Sequence, residues 1–303
     1  GIHVFNSADA IERFFDGQAA RGKEWVVQKY VERPLLIFRR KFDIRVWALA
    51  TQALDLYVFR EGYLRTSSEE FTTRLASGPD DNFVHLTNHC FQVHGSNYGK
   101  YEEGNTMSFA QFQSYMDDHC GGAVNFRRDL WPQMLALAVD AVRAVEDKLN
   151  RGCQGRQCFE LFGYDFMIDE AFRPWLIEVN TNPFLGTPCT YLSKLVPIMV
   201  EDMVALAVDC TFPPPGHERR PPLEELRAML QPVPWDTDEL RRELGVGSCG
   251  FDLVYRGHAG CLPSPDVEPA APDVVHHEPG SALAFAVAEG PWPPGLEQNP
   301  LRC

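Results

Sequence analysis

Apolar and polar positions along this chain switch between the two-residue period of strands and the three-to-four-residue period of helices, which predicts an α+β protein. SADAIERFFD, residues 7 to 16, reads as a helix capped by Ser7 and ended by Gly17. EWVVQKYV, KFDIRVWALATQ and LDLYVFREGYLRT read as strands, the last two joined by a turn near Ala53 to Asp55. Residues 79 to 105 are polar and rich in Gly and Asn, so they read as mostly loop. Helices are predicted at about 108 to 119 and 127 to 149, the second with an apolar stripe of Leu130, Met134, Leu137, Val142 and Val145. A final helix at roughly 193 to 209 closes the compact part.

Between those helices lies FELFGYDFMIDEAFRPWLIEVNTNP, two apolar runs around a short polar turn, each with an acid at its centre. A hairpin symmetrical about Ala171 and Phe172 sets Asp165 opposite Glu178, and directly paired residues share a face. Asn180, two residues on, projects to that same face. Two carboxylates at such a distance raise each other's pKa unless a positive charge lies between them. An all-oxygen set favours a hard cation such as magnesium. The alternative is a pair of solvated strand residues, which their large apolar neighbours disfavour.

Cations concentrate elsewhere. From Arg33 to Arg65 there are seven, at 33, 39, 40, 41, 45, 60 and 65, against three acids. Alternation puts Lys41, Asp43 and Arg45 on one strand face, with Arg65 on the neighbouring strand. Alone, such a strip reads as a salt-bridged solvent face. Beside a metal-binding hairpin on a second sheet, it reads as a site for a nucleoside triphosphate and phosphoryl transfer. No G-x-x-x-x-G-K-[ST] is present, so this is not a P-loop protein.

The bulk properties narrow the classes. A formal net charge of −14 argues against nonspecific nucleic-acid binding. No apolar run is long enough to span a bilayer; MLALAVDAV is interrupted by Asp140. The nine scattered cysteines suit free thiols in a reducing cytosol. HLTNHCFQVH holds three histidines and Cys90, but no second ligand pair has the spacing of a structural zinc site. After residue 211 the composition shifts: 16 of the 23 prolines lie there and no lysine does. Short helices at 222 to 230 and 236 to 244 and an edge strand in GFDLVY are expected. The domain reading is therefore a compact domain over 1–212, a helical and edge-strand extension over 213–255, and a disordered tail over 256–303.

VVQKYVERPLLI, RKFDIRVW, YVFREGYLRTSSE, HLTNHCFQ, NYGKYEEGN, FGYDFMIDE and WLIEVN occur in the order and approximate spacing of the tubulin tyrosine ligase family, which this chain resembles over about residues 1 to 212. The resemblance implies an ATP-grasp fold: two antiparallel sheets with flanking helices and the nucleotide between them. It places Gln28, Lys29, Tyr30 and Val31 against adenine, Lys41 and Asp43 on the nucleotide, and Arg65 on its terminal phosphate. Ile177 also joins the nucleotide site, and His85, Leu86, Thr87 and Asn88 line the nucleotide and amino-acid pocket. Arg45 faces the acceptor carboxylate, and Asp165, Glu178 and Asn180 hold magnesium. Arg45, Arg65 and Glu178 are the implied catalytic residues.

The implied reaction uses ATP and magnesium to join a free amino acid to the acidic C-terminal tail of tubulin through an acyl phosphate. HLTNHC followed by NYGKYEEGN points to tyrosine as the amino acid, while EVNTNPFL departs from the tyrosine ligase pattern. Polyglutamylation, polyglycylation and a catalytically inactive tubulin-binding role remain the alternatives. A cytoplasmic protein on microtubules or cilia is expected, with no nucleic-acid or membrane partner. Gly1 and Ile2 match the end of the family's glycine-rich loop, so the loop and a small N-terminal domain are expected upstream.

Overall fold

Both faces of the central strands are buried, and that decides the architecture. The computed structural model describes residues 2–17, 25–73, 81–146, 158–209, 212, 241–242, 249–257 and 285–289. Within it, β4 (Arg40–Thr51) is buried along all but its last residue. It pairs with β5 (Leu56–Glu70) on one side and β7 (Phe159–Ile168) on the other, all antiparallel. The seven-stranded sheet runs β6 (Thr106–Ser108), β5, β4, β7, β8 (Pro174–Asn180), with β3 (Leu36–Ile37) added against β4 and β9 (Phe251–Tyr255) against β5.

Alternation along β4 sorts its side chains. Phe42, Ile44, Val46 and Ala48 face a core shared with α4 (Phe109–His119) and α5 (Trp131–Arg143), through Phe112, Met116, Met134 and Val142. Trp47 and Leu49 face the opposite core, where Leu192, Leu195, Ile198 and Met199 of α6 (Thr190–Val204) cover the sheet. Lys41, Asp43 and Arg45 have the same parity as Trp47 and Leu49, so they share the α6 face.

A second, three-stranded antiparallel sheet has the order β1 (Ile2–Phe5), β10 (Phe285–Glu289), β2 (Trp25–Lys29), beside α1 (Ala8–Asp16). Two antiparallel sheets with flanking helices agree with the expected fold class. The small sheet corrects the tail reading, because residues 285–289 form its middle strand. FAVAE is a proline-free, β-capable run whose character was averaged away in a proline-rich segment. The other residues of 258–303, and the expected helix at 222 to 230, lie outside the described residues. Of the expected helix at 236 to 244, Arg241 and Arg242 are described and are helical.

Other readings hold or shift by a few residues. Ser7 caps α1 and Gly17 ends it. GFDLVY supplies β9. The 79–105 loop contains two short helices, α2 (Asp81–His85) and α3 (His89–Gln92), too short to show a periodic pattern. A π turn over Phe126–Leu130 leads into α5. Val145, placed in the apolar stripe, lies beyond the end of α5 and is exposed. No helix among the described residues is long and apolar enough to cross a membrane.

The acid-bearing hairpin forms with the expected pairing, Asp165 opposite Glu178. Its turn is organised by Asp169, whose carboxylate accepts from the backbone N–H groups of Ala171 (2.9 Å) and Arg173 (3.0 Å) and from the Trp175 indole (3.0 Å). Nearer the turn the register is centred on Ala171, with Phe166 opposite Leu176. The extra residue, Ile177, is a β-bulge that brings Glu178 into line with Asp165.

Candidate functional site

Cross-strand pairing assembles a charged row on the α6 face of the large sheet. Asp43 pairs with Arg65 across β4 and β5, Arg45 with Asp165 across β4 and β7, and Gly163 with Asn180 across β7 and β8. The Arg45 guanidinium grips Asp165 with two hydrogen bonds, through Nε to Oδ1 and through Nη2 to Oδ2 at 3.0 Å. Arg65 donates from Nε to Asp43 Oδ2 at 2.9 Å and reaches Asp165 Oδ2 at 2.8 Å. Asn180 donates its amide nitrogen to Asp165 and to Glu178, 3.2 Å each. Asp43, Arg45, Arg65 and Asp165 are all buried.

The electrostatics of this row are unbalanced in a way that invites ligands. Burial acts to raise Asp165, but Arg65 and then Arg45 outweigh it and hold the carboxyl below its usual range. Glu178 keeps solvent access on the edge strand, yet desolvation by surrounding atoms and then Asp165 push its carboxyl up. A cation between the two acids would relieve that repulsion. Among the described residues Arg45 Nη1 is buried with no hydrogen-bond partner, a donor that an added oxygen would satisfy. The donor set Asp165, Glu178 and, after rotation of its amide, Asn180 is all oxygen and fits magnesium rather than zinc.

A second cluster adjoins the strand joining the two sheets. Lys41 Nζ donates to the Tyr30 hydroxyl (3.2 Å) and the His85 carbonyl (2.8 Å), and the Tyr30 hydroxyl shares a hydrogen bond with His85 Nδ1 (2.9 Å). Lys41 has only neutral acceptors in this cluster, and burial lowers its pKa to about 8 although Asp43 opposes the shift. An anion there would restore the charged form. Gln28 and Lys29 end β2, while Tyr30 and Val31 form the crossing to the large sheet. The Lys29 side chain pairs with Glu32. Thr87 is buried and lines a cleft beside Arg65; Leu86 and Asn88 flank it in the connection from α2 to α3.

Two expectations about this region are corrected. The carboxylate hairpin and the cation strip lie in one sheet, not two, because β7 pairs directly with β4. Nor is the strip a basic surface. Arg33, Arg39, Arg40, Arg45, Arg60 and Arg65 are paired with Glu170, Glu70, Glu102, Asp165, Asp252 and Asp43 respectively. Five of those six acids lie outside the 33–65 window, so the local count could not reveal them. The histidine-rich HLTNHCFQVH forms no metal cluster of three or more ligands among the described residues.

The sequence reading missed the residues that shape the cleft beside Arg65: Tyr63, His89, Gly104, Phe184 and Pro188. The motifs HLTNHC and NYGKYEEGN bracketed two of them without giving them a role. NYGKYEEGN itself acts as a clamp. Glu102 pairs with buried Arg40 and accepts from Thr66 Oγ1 at 2.8 Å. Asn105, at φ +50°, ties the Thr66 carbonyl and Ser68 Oγ to the segment at 2.9 and 3.0 Å.

Comparison with known proteins gives these residues a family. A sequence model described as "Tubulin-tyrosine ligase family" matches residues 1–220. The chain is 37% identical to Tubulin glycylase 3A of Drosophila melanogaster over 69% of this chain and 21% of that protein. It is 31% identical to Tubulin glycylase 3B of Tetrahymena thermophila over 85% of this chain and 19% of that protein. To Tubulin monoglycylase TTLL3 of Homo sapiens it is 34% identical, over 69% and 27% respectively. The chain thus spans about a fifth to a quarter of the length of these curated relatives.

Proposed function

Because this chain belongs to the tubulin-tyrosine ligase family, we propose that it is the catalytic part of an ATP-dependent ligase that joins glycine to the acidic tail of tubulin. The observation that carries the reading is the charged row Arg65–Asp43–Arg45–Asp165–Glu178–Asn180 across one sheet face. The choice of glycine over the tyrosine expected from the motifs is supported by relatives that are named glycylases. EVNTNPFL, where the chain leaves the tyrosine ligase pattern, agrees with that choice. Association with microtubules or cilia, in the cytoplasm, belongs to the same proposal.

The chemistry follows from the residues. A carboxylate is a poor electrophile, so one oxygen of the acceptor takes the γ-phosphoryl group of ATP, releasing ADP and giving an acyl phosphate. The glycine nitrogen then attacks the acyl carbon, the C–O bond to phosphate breaks, and inorganic phosphate leaves as the nitrogen gives up a proton. Arg45 holds the acceptor carboxylate with its unpartnered Nη1, and Arg65 neutralises charge on the transferred phosphoryl group. Lys41 and Asp43 position the nucleotide, whose adenine lies against Gln28 to Val31, with Ile177, His85, Leu86, Thr87 and Asn88 around it. Asp165, Glu178 and Asn180 would hold magnesium, which would supply Lewis-acid charge compensation to phosphate oxygens.

The test is mass spectrometry of tubulin incubated with the chain, ATP, magnesium and isotopically labelled glycine, tyrosine or glutamate. Labelled glycine on acidic tail residues, absent without ATP, is the expected result. Incorporation of tyrosine or glutamate instead would return the assignment to those alternatives, and incorporation of none would favour an inactive tubulin-binding role.

A further inference from the structure

The cleft beside Arg65 is narrow, and two of its lining residues, His89 and Phe184, form an aromatic stack. Its walls are Tyr63, Thr87, His89, Gly104, Phe184 and Pro188, and it opens beside the guanidinium placed on the transferred phosphoryl group. On the reading that Arg65 meets the transferred phosphoryl group, this cleft is the adjoining opening from which an amine would approach. The present opening holds little more than a water molecule, so any amino acid must push a wall aside, and its cost rises with each side-chain atom.

The yielding wall is Phe184. Its ring stacks on His89, with centroids 5.5 Å apart and planes 23° from parallel, although the residue is 47% exposed. Both partners are braced. His89 Nδ1 shares a 2.9 Å hydrogen bond with the Tyr98 hydroxyl. On the other side the Phe184 ring folds over Gly186, where a Cβ would lie 2.0 Å from ring carbon Cζ, so a side chain there would shift the ring. Burial and then Arg65 lower the His89 pKa, so the imidazole is neutral at pH 7 and acts as an aromatic face.

We propose that the Phe184–His89 stack is a size gate on the amino-acid cleft, limiting the ligated amino acid to glycine by excluding any side chain. This rests on the reading of the chain as a ligase using an amino-acid amine. The stack can shift enough for a backbone-sized ligand, whereas a methyl group on the α-carbon must displace the Phe184 ring from its seat on His89. One methylene-sized group against a packed wall is worth about 10- to 200-fold in discrimination.

The experiment compares the full chain with Phe184→Ala and Phe184→Leu, using labelled glycine, alanine and serine with tubulin and ATP. The alanine-to-glycine ratio of incorporation is expected to rise by about tenfold or more in Phe184→Ala, with Phe184→Leu intermediate. A second readout needs no turnover: line broadening of the alanine methyl signal in solution NMR, expected with Phe184→Ala and absent with the unaltered chain. An unchanged ratio with glycine ligation intact overturns the gate and leaves the glycine reading standing. Equal alanine broadening by all three proteins overturns the gate whatever the activity. Ligation of tyrosine or glutamate by the unaltered chain overturns both.

Discussion

Gly163 shows how much of the site depends on an atom that is not there. A Cβ at this position would lie 3.1 Å from Cζ and Nε of Arg45 and 2.9 Å from Cβ of Pro183, in the loop after β8, so glycine is what leaves room for the guanidinium against β7. Gly163→Ala should push Arg45 off Asp165, costing about 1–3 kcal/mol of stability from overpacking. It should also lower ligation about 100-fold through misplacement of the acceptor. Urea denaturation and steady-state rates measure both, and an unaltered rate would mean Arg45 does not hold the acceptor. Lys41 makes a pH prediction. A bound polyphosphate favours the charged lysine, so its pKa in the complex exceeds the value of about 8 in the free protein. Binding should then take up a proton between those two values, and affinity should fall as pH rises through that window. Calorimetry in buffers of different ionisation enthalpy reads the proton directly, and a buffer-independent enthalpy would exclude Lys41. At this scale the sequence showed which side chains share a face, since alternation alone places Lys41, Asp43 and Arg45 together. It could not show Gly163 or Phe184, because their roles come from what packs on them across other strands and loops.

Among the elements, the hairpin β7–β8 was the most legible and the segment before β6 the least. The hairpin carries its own instructions: apolar runs, a turn acid at Asp169, and carboxylates at matched distance from the turn. Its bulge at Ile177 is invisible to pattern reading, because a single inserted residue leaves the apolar runs unchanged. NYGKYEEGN has no period of two or 3.6, and its order comes from side chains that reach β4 and β5. That makes it testable. Arg40 is 2% exposed and is paired with Glu102, so Glu102→Ala leaves a buried guanidinium without its carboxylate. The expected loss is about 3–5 kcal/mol in urea denaturation. A loss below about 1 kcal/mol would show that the segment merely lies on the sheet.

For the whole molecule, the charged row is buried within a sheet covered on both faces and reaches solvent at Glu178 on the edge strand β8. The fold class and the β4–β5 pairing were readable because two long strands flank one short turn near Ala53 to Asp55. The merger of cation strip and hairpin into one sheet was not, since β4–β7 pairing joins residues more than a hundred positions apart. The small sheet was obscured for the same reason, its middle strand lying at 285–289. Truncation after Gly257 should therefore remove hydrogen-exchange protection from β1 and β2 while sparing β4 and β7; unchanged protection in β2 would mean that β10 does not hold the small sheet together. The most direct measurement concerns Glu178. ATP-dependent incorporation of labelled glycine into tubulin should be compared for the unaltered chain and Glu178→Gln, a change that keeps shape and removes one charge. The expected result is loss of ligation by at least about 100-fold, with the melting temperature unchanged. Full glycine incorporation by Glu178→Gln would contradict the assignment of this sheet face as the catalytic one.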